Sequence, residues 1–326
     1  MQQTFDLEEQ PEAPKGRKRY MVVDASNFLW RNRFAQVGMS GTADEINSYS
    51  IHTALFSLNR FYKMHKPDKI VLAFDKGKSW RKAVLPMYKE RRQEKRKKDK
   101  GIADFYLQIE EFYTLMRDHS SMIVLRKPLI EADDWIARFI QTHPEADHVI
   151  ISNDGDFHQL HKHQGVQQWN PMRKKGVHDG CWVDVEDPLY AIFLKCIRGE
   201  TGESSDNIPS AYPRIFETKL KKAFYGDAFE MNEIMLHEIP DITQPLKEKP
   251  GEFKMVKVKE LYERNQELMH LEMQPNEVIT SMDNELRDVG EGLGKFELFY
   301  FLQYLGQRNL QRIADTVDNF IPLFKS

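Results

Sequence analysis

Two cysteines in 326 residues, Cys181 and Cys196, are too few for a disulfide framework or a four-cysteine zinc site. They fit a reducing cytoplasm, as packing residues. No apolar run approaches the length of a membrane span, so a membrane is not among the expected partners. The opening MQQTFDLEEQPEAPKGRKRY holds no apolar segment of the kind that directs export, and a cytoplasmic location is expected. There is no internal repeat, no long low-complexity segment and no helical HExxH pattern. Neither sign of charge dominates: 47 Lys/Arg stand against 50 Asp/Glu, so the net charge of −3 names no partner. What is present is an ordinary globular composition, 40% hydrophobic and 30% charged, enough for one large domain or two modest ones.

The apolar runs come in a particular company. Tyr20–Val23, Lys69–Phe74 and Val149–Ile151 read as strands buried on both faces, and acids follow each: Asp24, Asp75, and Asp154 with Asp156 around Gly155. Carboxylates at the carboxyl ends of buried strands lie where an open α/β sheet places its ligands. Ser121–Leu125, Val166–Trp169 and Cys181–Val185 read as further strands, with amphipathic helices over Ile46–Met64 and Ile102–His119. EADDWIA opens a helix with Glu131, Asp133 and Asp134, more acid than a dipole or cap requires. Glu131 and Asp134 are i,i+3 neighbours on one face, with Asp133 some 100° round. GETGESSDNIPS adds Glu203 and Asp206.

Nine carboxylates sharing one sheet edge would repel by about 3 kcal/mol per pair at ~5 Å and an effective dielectric near 20. All-oxygen ligation points to hard divalent cations, Mg²⁺ first and Mn²⁺ second, and the surplus of acids points to two ions. Such a pair clamps the attacking and leaving oxygens of a phosphoryl displacement. His158, His161 and His163 stand close together, but no other His/Cys cluster supports zinc, and packing or surface histidines are the expectation. Between Lys89 and Lys100 eight Lys/Arg face three acids (Lys89, Arg91, Arg92, Lys95, Arg96, Lys97 and Lys98 among them), with Trp80 and Tyr88 nearby. Aromatic faces beside a positive track suit single-stranded nucleic acid, so the expected substrate is a phosphodiester. A second basic group, Arg214, Lys219, Lys221 and Lys222, follows the Ser-Asp-Asn element.

Five blocks together resemble the structure-specific 5′-nucleases, the flap endonuclease family, nearest to its T-even-phage ribonuclease H type. They are VVDASNFLWR, FDKGKSWRKAVLPMYKERR, EADDWIA, ISNDGDFHQLHKHQGVQQWNPM and GESSDNIPS, spanning roughly residues 20–224. The resemblance implies a parallel-rich central sheet flanked by helices in residues 20–200, with a basic arch about 76–101. A mobile tail (1–19) would precede it, and a helical portion (201–326) would follow, with a duplex-gripping helix–turn–helix about 203–224. It implies Asp24, Asp75, Glu131, Asp133 and Asp154 around one metal, and Asp134, Asp156, Glu203 and Asp206 around or behind a second. Lys89, Arg92 and Arg81 would hold the scissile phosphate.

The implied activity is a Mg²⁺-dependent 5′→3′ exonuclease and flap endonuclease on branched DNA and RNA–DNA duplexes, removing RNA primers and flaps in replication. A phage-encoded protein would do this in the host cytoplasm. The alternatives are a non-catalytic branched-DNA binder on the same scaffold and a compact single-strand ribonuclease. Two departures stand out: Glu203 replaces the usual aspartate, and IPSAYPRIFETK lacks the glycines expected in the duplex-gripping turn. The terminal NFIPLFKS is either a docking peptide for a replication clamp or a packing segment. A single-strand-binding protein is the other expected protein partner.

Overall fold

The computed structural model describes residues 16–36, 42–97, 99, 101–172, 180–201, 206–226, 228–247 and 249–326. Six strands form the central sheet: β1 (Arg19–Asp24), β2 (Lys69–Ala73), β3 (Ile123–Leu125), β4 (Asp147–Ile151), β5 (Val166–Asn170) and β6 (Cys181–Trp182). Their order is β3-β2-β1-β4-β5-β6, parallel throughout except for β6 at the edge. Side chains alternate across it as the strand period requires. Met21, Val23, Ile70, Leu72, Val149 and Ile151 face one core; Tyr20, Val22, Val71, Ala73 and Ile150 face the other.

The first core is closed by α1 (Ala25–Phe34), α2 (Ala43–His65) and α5 (Ile102–Asp118), the second by α6 (Ala132–Thr142). Between β2 and α5 lie a short α3 (Arg81–Val84) and the basic α4 (Glu90–Lys97). The chain winds outward from β1 on one side and from β4 on the other. A crevice therefore opens at the carboxyl ends of these two strands, the switch point of a doubly wound sheet.

The end of the expected tail belongs to the fold. Residues 1–15 lie outside the described residues, but Arg17 already pairs with Asp147 at 3.0 Å and β1 begins at Arg19. The portion beyond residue 200 is largely helical, as expected, and some of its helices pack on the sheet domain. α7 (Pro188–Arg198), α8 (Glu217–Tyr225), α9 (Ala228–Leu236) and α10 (Val258–Met269) build one core among themselves, and α7 and α10 share a second with Leu85 and Tyr88. By contrast, α11 (Asn276–Val289) packs on the α6 face, and α12 (Leu298–Gln307) packs with the terminal turn on the α2/α5 face.

Within the portion expected to be helical, residues 238–257 instead form an antiparallel hairpin, β7 (Glu238–Pro245) with β8 (Phe253–Lys257). Its inward positions include a buried Asp241, held by Arg264 at 3.0 Å. That disguises the apolar alternation by which a strand is read. The segment Asn207–Phe224 contains one helix, α8; the helix pair is α7 and α8, joined through residues 199–216.

NFIPLFKS is a packing segment. Phe320, Leu323 and Phe324 are buried, and the Phe324 ring lies 4.2 Å from that of Phe301. It is not free to serve as a docking peptide. Phe324→Ala is expected to cost about 3–5 kcal/mol of unfolding free energy, as buried Phe-to-Ala changes do. Urea unfolding checks this, and a loss below 1 kcal/mol, the surface range, would place the segment outside the core.

Candidate active site

The three strand-following acids take their positions from the backbone. Asp24 ends β1 and caps α1, its Oδ1 accepting from Asn27 N at 2.9 Å. Asp75 follows β2, and its Oδ1 accepts from Ala132 N at 2.8 Å, tying it to the start of α6. Asp154 follows β4, and its Oδ1 accepts from Asp156 N at 3.0 Å. Buried Gln168 on β5 donates to Asp154 O at 2.8 Å and fixes that loop. On α6, Asp133 Oδ1 accepts from Asp134 N at 2.8 Å. Each of these four aspartates anchors one oxygen on a backbone N–H and has no donor on the other among the described residues. All four line one cleft of about 1050 Å³, with Glu131, Asp156 and Asp206.

Asp134 does not join them. It is fully buried, and its oxygens accept from the Arg81 guanidinium at 2.8 and 2.9 Å and from Trp80 Nε1 at 3.1 Å. Glu131, Asp133 and Asp134 do offer oxygens within 4.8 Å of one another. Those of Asp134 are already committed, so the proximity gives it no share in the cleft. Arg81 is likewise no phosphate ligand. It is 1% exposed and also donates to Glu131 at 2.9 Å and to Leu268 O at 2.6 Å. Arg81 is a positioning residue that orients the first turn of α6 from beneath.

Lys89 and Arg92 do reach the cleft. Lys89 pairs with Glu131 and lies 3.8 Å from Asp206; Arg92 pairs with Asp206 at 2.8 Å. Lys89 adopts φ +55°, an uncommon conformation for a non-glycine residue, at the turn that brings its side chain to Glu131. Further participants carry no signal in the sequence. The Tyr88 hydroxyl lies 2.9 Å from both Glu131 Oε2 and Asp206 Oδ2 and donates its one proton to one of them at a time. Lys195 on α7 pairs with Asp156 and, at 2.6 Å, with Glu200.

Glu200 itself lines the cleft. It is pinned there by paired backbone bonds with Ile208 (2.7 and 2.8 Å), beside Gly199, where an added Cβ would meet Ile208 O at 2.5 Å. For Glu200 the sequence does carry a signal, because GETGE repeats a Gly-Glu step and both acids are candidates. That second acid, Glu203, lies outside the described residues, as does Lys98.

The electrostatics show how crowded this floor is. Burial, then neighbouring Asp75, pushes Asp24 up to about 8. Burial also raises Asp75, with Glu131 adding to it, and raises Asp133 well above the carboxylate range, with Asp134 and Glu131 adding. Glu131 goes the other way: burial would raise it, but Lys89 and Arg81 outweigh burial and hold it at about 2. The cations thus neutralise the Glu131–Asp206 side, while Asp24, Asp75 and Asp133 are left with too little positive charge.

Of the other cations, Arg96 lines the cleft 4.1 Å from the Trp30 ring, and Arg31, not expected from sequence, lines it too. Arg91 donates to Thr201 O at 3.1 Å, and Lys97 is exposed. The side chain of Lys95 is outside the described residues. Arg214, Lys219, Lys221 and Lys222 are all exposed on and before α8. Trp80 and Tyr88 are not stacking faces, because both are buried; the exposed aromatic at the cleft is Phe34.

Fold and cleft together define the class: an α/β nuclease-type domain with its acids at a sheet switch point. The chain belongs to the family described as 5′–3′ exonuclease, N-terminal resolvase-like domain, which matches residues 19–185, just over half of it. This bears out the family resemblance, and the matched residues hold four of the five sequence blocks, GESSDNIPS lying beyond them. Ribonuclease H of Enterobacteria phage T4 is 33% identical over 153 residues, 45% of this chain and 47% of that protein, so the match spans about half the length of that relative.

Among solved structures, a bacteriophage T5 flap endonuclease in a pseudo-enzyme–product complex with DNA and metal ions shares the fold. Its TM-score is 0.57 at 17% identity, covering 83% of this chain and 98% of that one. The T5 5′-exonuclease with zinc ions bound gives 0.57 at 18% identity, covering 83% and 99%. Among the described residues, no helix is long and apolar enough to cross a membrane.

Proposed function

We propose that the protein is a Mg²⁺-dependent 5′→3′ exonuclease and 5′-flap endonuclease. It would act on branched DNA and RNA–DNA duplexes and remove RNA primers and flaps in replication. The observation that carries this reading is the set of four cleft aspartates, Asp24, Asp75, Asp133 and Asp154, each holding one oxygen on the backbone and offering the other. No histidine or cysteine lines the cleft among the described residues. The donor set is therefore all oxygen and fits hard divalent cations, with Mn²⁺ able to replace Mg²⁺. Glu131 would share the first ion with those four, and Asp156, Asp206 and Glu200 would hold the second, with Glu203 the further candidate. When bound, two such ions supply activation of the attacking water and neutralisation of charge at the phosphate.

The chain's own groups do the rest. Lys89 and Arg92, now paired with Glu131 and Asp206, are within reach of a phosphate that enters beside those acids and would stabilise its developing charge. The exposed cations of α8 would hold duplex backbone without reading sequence. The protein would work in the cytoplasm, of the host if the gene is a phage's. Lys89→Ala is expected to lower turnover about 10²–10³-fold, the scale for a lost electrostatic donor, with flap affinity changed little. A large affinity loss at normal turnover would contradict the role.

Metal binding has a pH signature. Asp24 has a folded-state pKa of about 8 against an ordinary 3.8. Between these values the metal-free folded protein binds more protons than the unfolded chain, so its stability falls as pH rises through that window. Divalent ions remove the repulsion. The gain in Tm on adding Mg²⁺ should therefore be larger at pH 8 than at pH 6, and calorimetry showing equal gains would argue against ions at these acids. The function itself is tested by cleavage of flap, nicked, gapped and RNA–DNA substrates with and without Mg²⁺. Metal-dependent cutting that favours the branched duplex is expected. Binding without cutting would mark a branched-DNA binder, and preference for linear RNA a single-strand ribonuclease.

A further inference from the structure

Lys89, Arg92, Arg96 and Asp99 of the basic stretch line the cleft, and the stretch is fastened at two places by different chemistry. At its near end, Lys89 and Arg92 pair with Glu131 and Asp206. These pairs compete directly with any cation or phosphate that enters the acidic floor, so they are loosened by the ligands the site is built to take. The distal end is made of other residues altogether. Arg33, in the last turn of α1, is 4% exposed and donates through both terminal nitrogens to the two oxygens of Asp99, at 2.6 and 2.8 Å. Its Nε donates to Asn47 Oδ1 at 2.8 Å, and Asn47 in turn donates to Gly101 O at 3.0 Å and to Asp104 at 2.7 Å. Backbones are in close approach here: a Cβ on Gly101 would lie 2.9 Å from that of Ala43. One turn earlier in the segment, Arg96 sits over Trp30, also on α1.

We propose that Arg33 and Asp99 are positioning residues that hold the distal end of the basic segment against α1 and so set the grip on the substrate's single-stranded 5′ arm. The inference rests on the nuclease reading above. α1 is suited to the task because its first residue follows Asp24, while Trp30, Arg31 and Phe34 line the same cleft as Arg96 and Asp99. An ion pair at a free surface would do little. A guanidinium as buried as Arg33, with three of its N–H groups engaged, is left uncompensated when its partner is removed. The distal fastening involves none of the proposed metal ligands. It therefore persists when ions and phosphate displace Lys89 and Arg92 from the floor, and keeps Arg92 and Arg96 at the cleft instead of letting them swing away.

The test compares wild type, Asp99→Asn and Asp99→Glu on a 5′-flap duplex in Mg²⁺, with affinity for the same duplex lacking the arm as control. Asp99→Asn should raise KM for the flap about tenfold, the scale for one lost charge-assisted contact, with kcat within about twofold. Affinity for the armless duplex should not change, and Asp99→Glu should recover most of the loss. In parallel, trypsin should cut within 89–97 several times faster in Asp99→Asn than in wild type. A fall in kcat with unchanged KM, equal losses on both duplexes, or unchanged trypsin protection would overturn the proposal. Wild type that cuts no substrate would instead defeat the nuclease reading, and trypsin protection would then decide on the fastening alone.

Discussion

Asp24→Asn is expected to lower flap cleavage at least about a thousandfold, a loss on the scale of several kcal/mol of transition-state stabilisation. In metal-free buffer the same change should raise the stability of the fold. The two signs come from one cause. Asp24 is only 8% exposed, beside Asp75 and Asp154, and its carboxyl is pushed to about 8. A group so strained when charged is there for something other than folding. Asparagine keeps the Oδ1 that caps α1, because Asn and Asp cap about equally well. It removes the cost of either taking up a proton or carrying a repelled charge on folding, so the unfolding free energy at pH 7 should rise by about 1–3 kcal/mol. Added Mg²⁺ should then stabilise the variant less than wild type. A variant that is both inactive and destabilised without metal would show Asp24 to be a structural cap.

Arg81→Ala is expected to lower stability by about 3–5 kcal/mol, because removing one partner strands the others as buried, uncompensated charges. Asp134 has no exposure and loses both of its guanidinium bonds, while Glu131 loses one. Arg81→Lys should recover only part, since an ammonium cannot present the two-pronged fork. Urea unfolding measures both. Near-normal stability of Arg81→Ala would mean that the network beneath α6 is not what holds Asp133 and Glu131 in the cleft. Because that network also sets the angle at which α6 enters the site, activity should fall with stability.

Asp133 and Asp134 show where the sequence stops being legible. Both were expected at the metals, and they are adjacent on a helix, about 100° apart. Which of them meets the cleft is decided by Arg81, some fifty residues earlier, and no local pattern carries that. Strand ends are the opposite case. A parallel strand buried on both faces declares itself as an apolar run, and the residue after it must emerge at the ligand edge. Asp24, Asp75 and Asp154 were therefore readable one strand at a time.

Cations beside aromatics misled, because Trp80 and Tyr88 turn inward to bond Asp134, Glu131 and Asp206 with their polar tips. An amphipathic aromatic looks the same in sequence whether it faces a substrate or a buried carboxylate. Glu200 and Glu203 stand three residues apart, and spacing alone does not say which acid of such a pair reaches the cleft. The C-terminal apolar tail was ambiguous for a similar reason. Its burial depends on α2 and α5, which lie more than two hundred residues away along the chain.

Anomalous diffraction from crystals soaked in Mn²⁺ tests the central claim most directly. Peaks are expected within coordination distance of the unanchored oxygens of Asp24, Asp75, Asp133 and Asp154, with a second set toward Asp156, Glu200 and Asp206. An acidic cleft that stays free of manganese at concentrations supporting cleavage, or ions found only at other acids, would contradict it.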